Sequence, residues 1–203
     1  AVLNHGQLKT LNDQREKERL LLAQRRSGGV GGGGGGGDSN CNVPRNAGTF
    51  TNDVSGSVNW DNITNAASSD NAYAPTVALG MDETTTYLRA TNFGFTVPSN
   101  AVVTGIKVEV EKSYNNTGEL ADSVISLVKN STITGHNKAF GAIWLTSDAY
   151  SDYGGSTDLW GLTFIPSDVN AVNFGMVVRA RMITGSGGIP SVDHIRMTVY
   201  CTE

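Results

Sequence analysis

Gly105-Ile106-Lys107-Val108-Glu109-Val110-Glu111-Lys112 alternates apolar and charged residues, and Val192-Asp193-His194-Ile195-Arg196-Met197-Thr198-Val199-Tyr200-Cys201 repeats that habit near the C-terminus. A period of two puts successive side chains on opposite faces of an extended chain, so both stretches read as half-buried strands. Ile106, Val108 and Val110 face inward while Lys107, Glu109 and Glu111 face out; Ile195, Met197, Val199 and Cys201 face inward while His194, Arg196, Thr198 and Tyr200 face out. Between and before these anchors, further strands are expected over 72–79, 84–90, 92–97, 123–129, 139–145, 159–164 and 174–182. Each is bounded by turn-forming residues such as Pro98-Ser99-Asn100, Asn115-Asn116-Thr117-Gly118, Gly154-Gly155 and Gly185-Ser186-Gly187-Gly188. Pro166-Ser167-Asp168-Val169-Asn170 alone reads as a helical turn. Many short antiparallel strands at such spacing predict an all-β domain, a two-layer antiparallel β-sandwich of jelly-roll type.

Upstream of Cys41 the pattern changes. Nine of the 25 glycines of this 203-residue chain fall within Gly28–Gly37, a run that cannot bury apolar surface to offset its ordering entropy. Residues 7–26 hold no Gly or Pro and are rich in Gln, Leu, Lys, Glu, Arg and Ala, which predicts one α-helix. Leu8, Leu11 and Leu22 fit a heptad seam that Arg15 and Glu18 interrupt, so a coiled coil would be broken in the middle, and the lone helix either docks on another chain or frays as a tail. The expected organisation is an N-terminal anchoring helix over 1–27, a glycine-rich linker over 28–40 and a β-sandwich over 41–203. The helix would dock through Leu8, Leu11, Leu20, Leu21 and Leu22, with Arg15, Arg19, Arg25 and Arg26 pairing acidic groups on the partner.

Charge divides at the same place. Residues 1–40 carry six basic and four acidic side chains, net +2, and the remainder nine basic and fifteen acidic, net −6. An acidic body argues against nucleic-acid binding. No apolar stretch approaches a membrane span, none resembles a signal-peptide core, and Ala1 is the kind of residue that follows a removed initiator methionine; a soluble, unsecreted chain is expected. Two cysteines without metal-ligand spacing suggest ordinary thiols. A Cys41–Cys201 bridge is the lesser alternative, since the two lie at opposite ends of the domain and termini often meet.

Motifs for chemistry are few. The glycine run satisfies G-x-G-x-x-G without the strand and helix that would place a phosphate, and G-K-[ST], G-x-S-x-G and H-E-x-x-H are absent. His5, His136 and His194 are dispersed, and neither a cofactor nor a metal is expected. Asp148, Asp152 and Asp158 interleave with Tyr150, Tyr153 and Trp160. Carboxylates beside such turns could ligate calcium, and aromatics beside them could stack on a sugar, which makes Tyr150 and Tyr153 the candidate glycan-binding pair. The plainer reading is that Asp and Gly supply turn chemistry while Trp60, Trp144 and Trp160 fill the core.

The phrases Trp60-Asp61-Asn62, Ser69-Asp70-Asn71-Ala72-Tyr73-Ala74, Tyr87-Leu88-Arg89-Ala90-Thr91-Asn92-Phe93-Gly94-Phe95, Thr104-Gly105-Ile106-Lys107-Val108-Glu109-Val110-Glu111 and Tyr153-Gly154-Gly155-Ser156-Thr157-Asp158-Leu159-Trp160-Gly161 span most of 57–201. Together they resemble a domain recurrent in virion proteins of tailed bacteriophages and their prophage relatives. That resemblance implies a β-sandwich in a virion appendage or decoration protein and carries over no catalytic residues. The leading expectation is thus a structural virion protein, made in the host cytoplasm: a capsid-decoration, neck or fibre subunit, homotrimeric, joined to other virion proteins through residues 1–40. A carbohydrate-binding receptor adhesin, recognising a host surface glycan, is the alternative. A β-sandwich hydrolase ranks third because no carboxylate pair or triad stands out.

Overall fold

The computed structural model describes residues 40–53, 55–139 and 141–202, all within the unit Gly37–Glu203. The expected helix, the glycine run and the anchor residues Leu8, Leu11, Arg15, Arg19, Leu20, Leu21, Leu22, Arg25 and Arg26 lie outside these described residues.

Ten strands are formed among the described residues: β1 (Arg45–Asn46), β2 (Thr49–Asp53), β3 (Ala74–Pro75), β4 (Tyr87–Thr91), β5 (Val102–Tyr114), β6 (Glu119–Lys129), β7 (Thr132–Thr134), β8 (Ala149–Gly155), β9 (Gly175–Thr184) and β10 (Pro190–Thr202). They build two antiparallel sheets. One has the order β1-β10-β5-β8, with β3 also pairing β10, and the other the order β2-β4-β9-β6-β7. The two stretches that carried the sequence reading are the central pair of the first sheet, where Val110 lies opposite Ile195, Val108 opposite Met197 and Ile106 opposite Val199. All six are fully buried. They meet Leu120, Ile125 and Leu127 of β6 and Met176, Val178 and Met182 of β9 in one core shared by both sheets, the arrangement of a β-sandwich. Removing each such side chain from water is worth about 1.5–3 kcal/mol.

All three tryptophans are in that core, and each indole N–H finds an acceptor: Trp60 donates to the Thr86 carbonyl, Trp144 to Asp122 and Trp160 to the Ile106 carbonyl. Trp160 takes a left-handed backbone, φ 58°, held by its N–H bond to Asp158 Oδ1, so its ring can turn under β5. Gly154 completes the fit: its φ is +74°, and a Cβ there would strike the Ile106 carbonyl and the Trp160 indole.

Several expected strands are shorter or absent. The segment 72–79 contributes β3 and single bridges at Thr76 and Leu79, 92–97 forms no strand and turns through left-handed Asn92 and Gly94, 139–145 carries a single bridge from Ile143 to Ala121, and 159–164 is a turn around Trp160. Conversely β8, which reads as turn chemistry in sequence, is a seven-residue strand. It lies at the edge of its sheet, where one side needs no partner and a polar sequence is tolerated. The helical turn is present as α1 (Pro166–Val169).

The cysteines, expected first as ordinary thiols, are instead joined. The Cys41–Cys201 disulfide closes the domain with a Cα–Cα distance of 5.7 Å. Beside it Asn42 acts as a clasp: its side chain donates to the Cys201 carbonyl and accepts from the Cys201 N–H, both at 3.3 Å, while its backbone N–H reaches the Val199 carbonyl at 2.8 Å. The start of the domain is thereby laid against its final strand.

Candidate functional site

Tyr150 and Tyr153 both belong to β8, and the structure separates them. In a strand, residues three apart point to opposite faces. Tyr153 pairs with Val108 and turns into the core, where it is 1% exposed; Tyr150 pairs with Glu111 on the outer face. There the Tyr150 hydroxyl meets His194 Nδ1 at 2.7 Å, and the Arg196 guanidinium covers its ring at 4.6 Å. Tyr153 is buried and Tyr150 is half-buried with one face under Arg196, so the two do not form the expected stacking pair on one surface.

The three aspartates that might have gathered calcium are equally dispersed. Asp148 accepts the Tyr73 hydroxyl at 2.6 Å, Asp152 pairs with Lys107 at 2.9 Å, and Asp158 pairs with Lys138 at 2.6 Å. Among the described residues no group of three His, Cys, Asp or Glu side chains is arranged to hold a metal ion.

Two polar clusters do form, on either side of β5. The outer one is built by a break in the alternation of β10. Its pairing to β5 shifts between Val192 and His194, leaving Asp193 as the extra residue of a bulge. His194, expected on a solvated face, is 5% exposed, and Ala67 bridges to it from the segment after the 3-10 turn Ile63–Ala66. Arg196 grips Glu109 through two bonds of 3.0 and 3.1 Å, and Lys107 adds a third at 3.0 Å. Burial pushes the Glu109 carboxyl up, but these two cations outweigh it and hold the group below the usual carboxylate range.

Next to them the balance reverses. Asp193 is 1% exposed, and Glu111, Asp148 and Asp193 each keep one buried carboxylate oxygen without a hydrogen bond. Burial, reinforced by the negative charges of Glu111 and Asp148 and only partly offset by the Asn71 and Asp70 backbone N–H groups, pushes Asp193 up to about 6. The bond to Asp148, with burial, likewise raises the Tyr73 hydroxyl to about 12.

The folded state therefore holds a proton on Asp193 between pH 3.8 and about 6 that the unfolded chain has released. Stability from this group is present at low pH and lost as pH rises through 6. Asp193→Asn, which keeps an acceptor for the two backbone N–H groups, should stabilise the protein by about 1–3 kcal/mol at pH 8. The advantage should fall to about half of that at pH 5 and vanish only below pH 3.8. Thermal unfolding of both proteins across that range checks it, and an equal gap at every pH would contradict it.

The inner cluster joins the sheets. Lys112 continues the inward series Ile106, Val108, Val110, and its ammonium is buried against Asp122 of β6 at 2.5 Å, with side chains 5% and 3% exposed. Lys112 Nζ also donates to the Tyr153 hydroxyl, which donates in turn to Asp122 Oδ2 at 2.6 Å; Trp144 Nε1 donates to Asp122 Oδ1 at 3.0 Å. The ammonium lies over the Trp144 ring at 4.5 Å and the Tyr153 ring at 5.2 Å. Burial pulls Lys112 below the ordinary lysine value, against the attraction of Asp122, and burial with the Asp122 charge pushes Tyr153 well above the ordinary phenol value. A cavity of about 60 Å³ adjoins the pair, lined by Ala142, Ile143, Leu145 and Ser151 among others.

Sequence reasoning passed over this cluster, although one signal was present. A lysine in the inward register of an otherwise apolar strand requires a buried partner. Nothing in the order of residues marks Asp122 as that partner, because it comes from the other sheet.

No known family matches the sequence, and no curated protein matches it.

Proposed function

We propose that this chain is a non-enzymatic structural subunit of a tailed-bacteriophage virion, a capsid-decoration, head/neck or tail-fibre protein that is anchored by its N-terminal segment and projects its sandwich as a homotrimer. The observation that carries the reading is how load would pass through the domain. Tension arriving along the glycine-rich segment meets Cys41, which is bonded to Cys201 of the 13-residue β10. β10 in turn is paired along its length with β5, also of 13 residues. A pull is thus delivered to the centre of a sheet instead of peeling off the two-residue β1. That is the construction expected of a tethered, displayed module.

Strand order supports the same reading. With β1 and β2 set aside as additions, β3-β10-β5-β8 faces β4-β9-β6-β7, and successive strands pass between sheets at β3–β4, β4–β5, β5–β6, β7–β8, β8–β9 and β9–β10. We read this as a jelly roll, an architecture common in viral capsid and lectin domains. Fold alone assigns no function, so the argument rests on the tether and its attachment. The carbohydrate-binding alternative drew on Tyr150 and Tyr153, and the burial of Tyr153 and the Arg196 guanidinium over the Tyr150 ring count against it.

Deleting residues 1–27 should leave a folded sandwich, with the thermal midpoint of the full chain, that no longer joins assembled particles. Incorporation is read by quantifying the protein on purified particles after complementation in trans. Undiminished incorporation of the truncated protein would place the anchor in the sandwich instead.

A further inference from the structure

We propose that Lys112 and Asp122 condense with each other, forming an amide between Lys112 Nζ and Asp122 Cγ that links the two sheets covalently. A buried ion pair is ordinarily sustained by hydrogen bonds that keep both groups charged. This pair has such bonds as well, and one of the groups that makes them can also carry a proton between the partners. The Tyr153 hydroxyl touches both Lys112 Nζ and Asp122 Oδ2, so it can accept a proton from the ammonium while passing its own to the carboxylate. Its high affinity for its proton, caused by burial, keeps it a phenol before and after the transfer. Within this desolvated site the proton exchange yields the amine and the acid that can react, against the attraction of the Trp144 and Tyr153 rings for the ammonium.

The step then balances within the site. The neutral amine places its lone pair on Cγ, and negative charge develops on Oδ1, where the Trp144 indole N–H is already bonded at 3.0 Å. Nitrogen gives up a proton through Tyr153 to the Oδ2 hydroxyl, the Cγ–Oδ2 bond breaks, and water departs. One C–N bond has formed and one C–O bond has broken. Nothing is oxidised or reduced, and no further reactant is required. The adjoining cavity of about 60 Å³ has room for the released water. Proximity supplies most of the acceleration, since amine and acid are held in contact on strands that cannot separate without unfolding.

The inference does not depend on the virion reading, and its experiment does not use particles. The full chain is purified, incubated folded at neutral pH, reduced, and its intact mass measured under denaturing conditions. The expected result is a mass lower than that of the sequence by one water, with a proteolytic fragment in which the segments carrying Lys112 and Asp122 are joined. Lys112→Arg should restore the full mass and abolish the joined fragment. Tyr153→Phe should slow its appearance by at least about a hundredfold, the lower reach of proton-transfer catalysis. Water lost elsewhere, as in a backbone succinimide, would persist in Lys112→Arg and give no joined fragment, which overturns the proposal. So does a folded wild-type protein at full mass, leaving the pair as an ion pair only. The fragment is read from wild-type protein, so a variant that folds poorly does not rescue or sink the conclusion.

Discussion

Replacing Cys41 and Cys201 together by serine should lower the thermal midpoint of the sandwich by roughly 10 °C or more, the scale that about 3–5 kcal/mol produces in a domain of this size. The cross-link closes a loop of 160 residues. Loop-closure entropy rises with the logarithm of loop length, so a bridge spanning nearly the whole domain approaches the largest entropic benefit one bond can confer, about 5 kcal/mol. Beside the bond Asn42 holds the two chain segments together through three hydrogen bonds of its own. Those bonds persist in the serine variant, so the fold should form but unfold earlier. Calorimetry with and without reductant supplies the check: reduced wild type should behave as the double serine variant does. Equal midpoints for all forms would show that the Asn42 clasp, not the disulfide, closes the domain.

Measured against protein still at full mass, with Lys112 and Asp122 as an ion pair, Asp122→Ala should destabilise the fold by about 3–5 kcal/mol, the range seen when one partner of a buried pair is removed. The alanine leaves the Lys112 ammonium, the Tyr153 hydroxyl and the Trp144 indole N–H without the acceptor they share. Each is buried, so none can turn to bulk water. The loss should be strongly non-additive. Lys112→Met combined with Asp122→Asn removes both charges while keeping a carbonyl for Trp144 and Tyr153, and should recover most of the stability lost in Asp122→Ala. Denaturant titration of the single and double variants measures the coupling. Equal losses in Asp122→Ala and the double variant would mean that packing, not charge, is what the site contributes.

How much of this was legible in sequence depended on where each strand lies. β5 and β10 sit in the middle of a sheet with one face on the core, so burial imposed the alternation that identified them. β8 is an edge strand whose polar residues carry side-chain contacts of their own, Asp152 with Lys107 and Tyr150 with His194, and its composition mimics a loop. The bulge at Asp193 shifts the register by one residue inside an apparently regular pattern, and that shift buries Asp193 beside Glu111 and Asp148. Such a break has no signature in hydropathy.

The sequence by itself determined the class of fold, the central strand pair, the burial of Trp60, Trp144 and Trp160, and the separation of a glycine-rich N-terminal segment from a β-rich body. These follow from local periodicity and from the inability of glycine to form a core. Only the tertiary structure decided that Cys41 meets Cys201, that Lys112 meets Asp122 across the sheets, and that Tyr150 and Tyr153 lie on opposite faces of one strand. The first two pairings are set by which strands the fold makes neighbours, and residues 160 positions apart carry no mutual mark until the chain has closed. The third depends on β8 being a strand at all, which its edge position permits and its own residues do not announce.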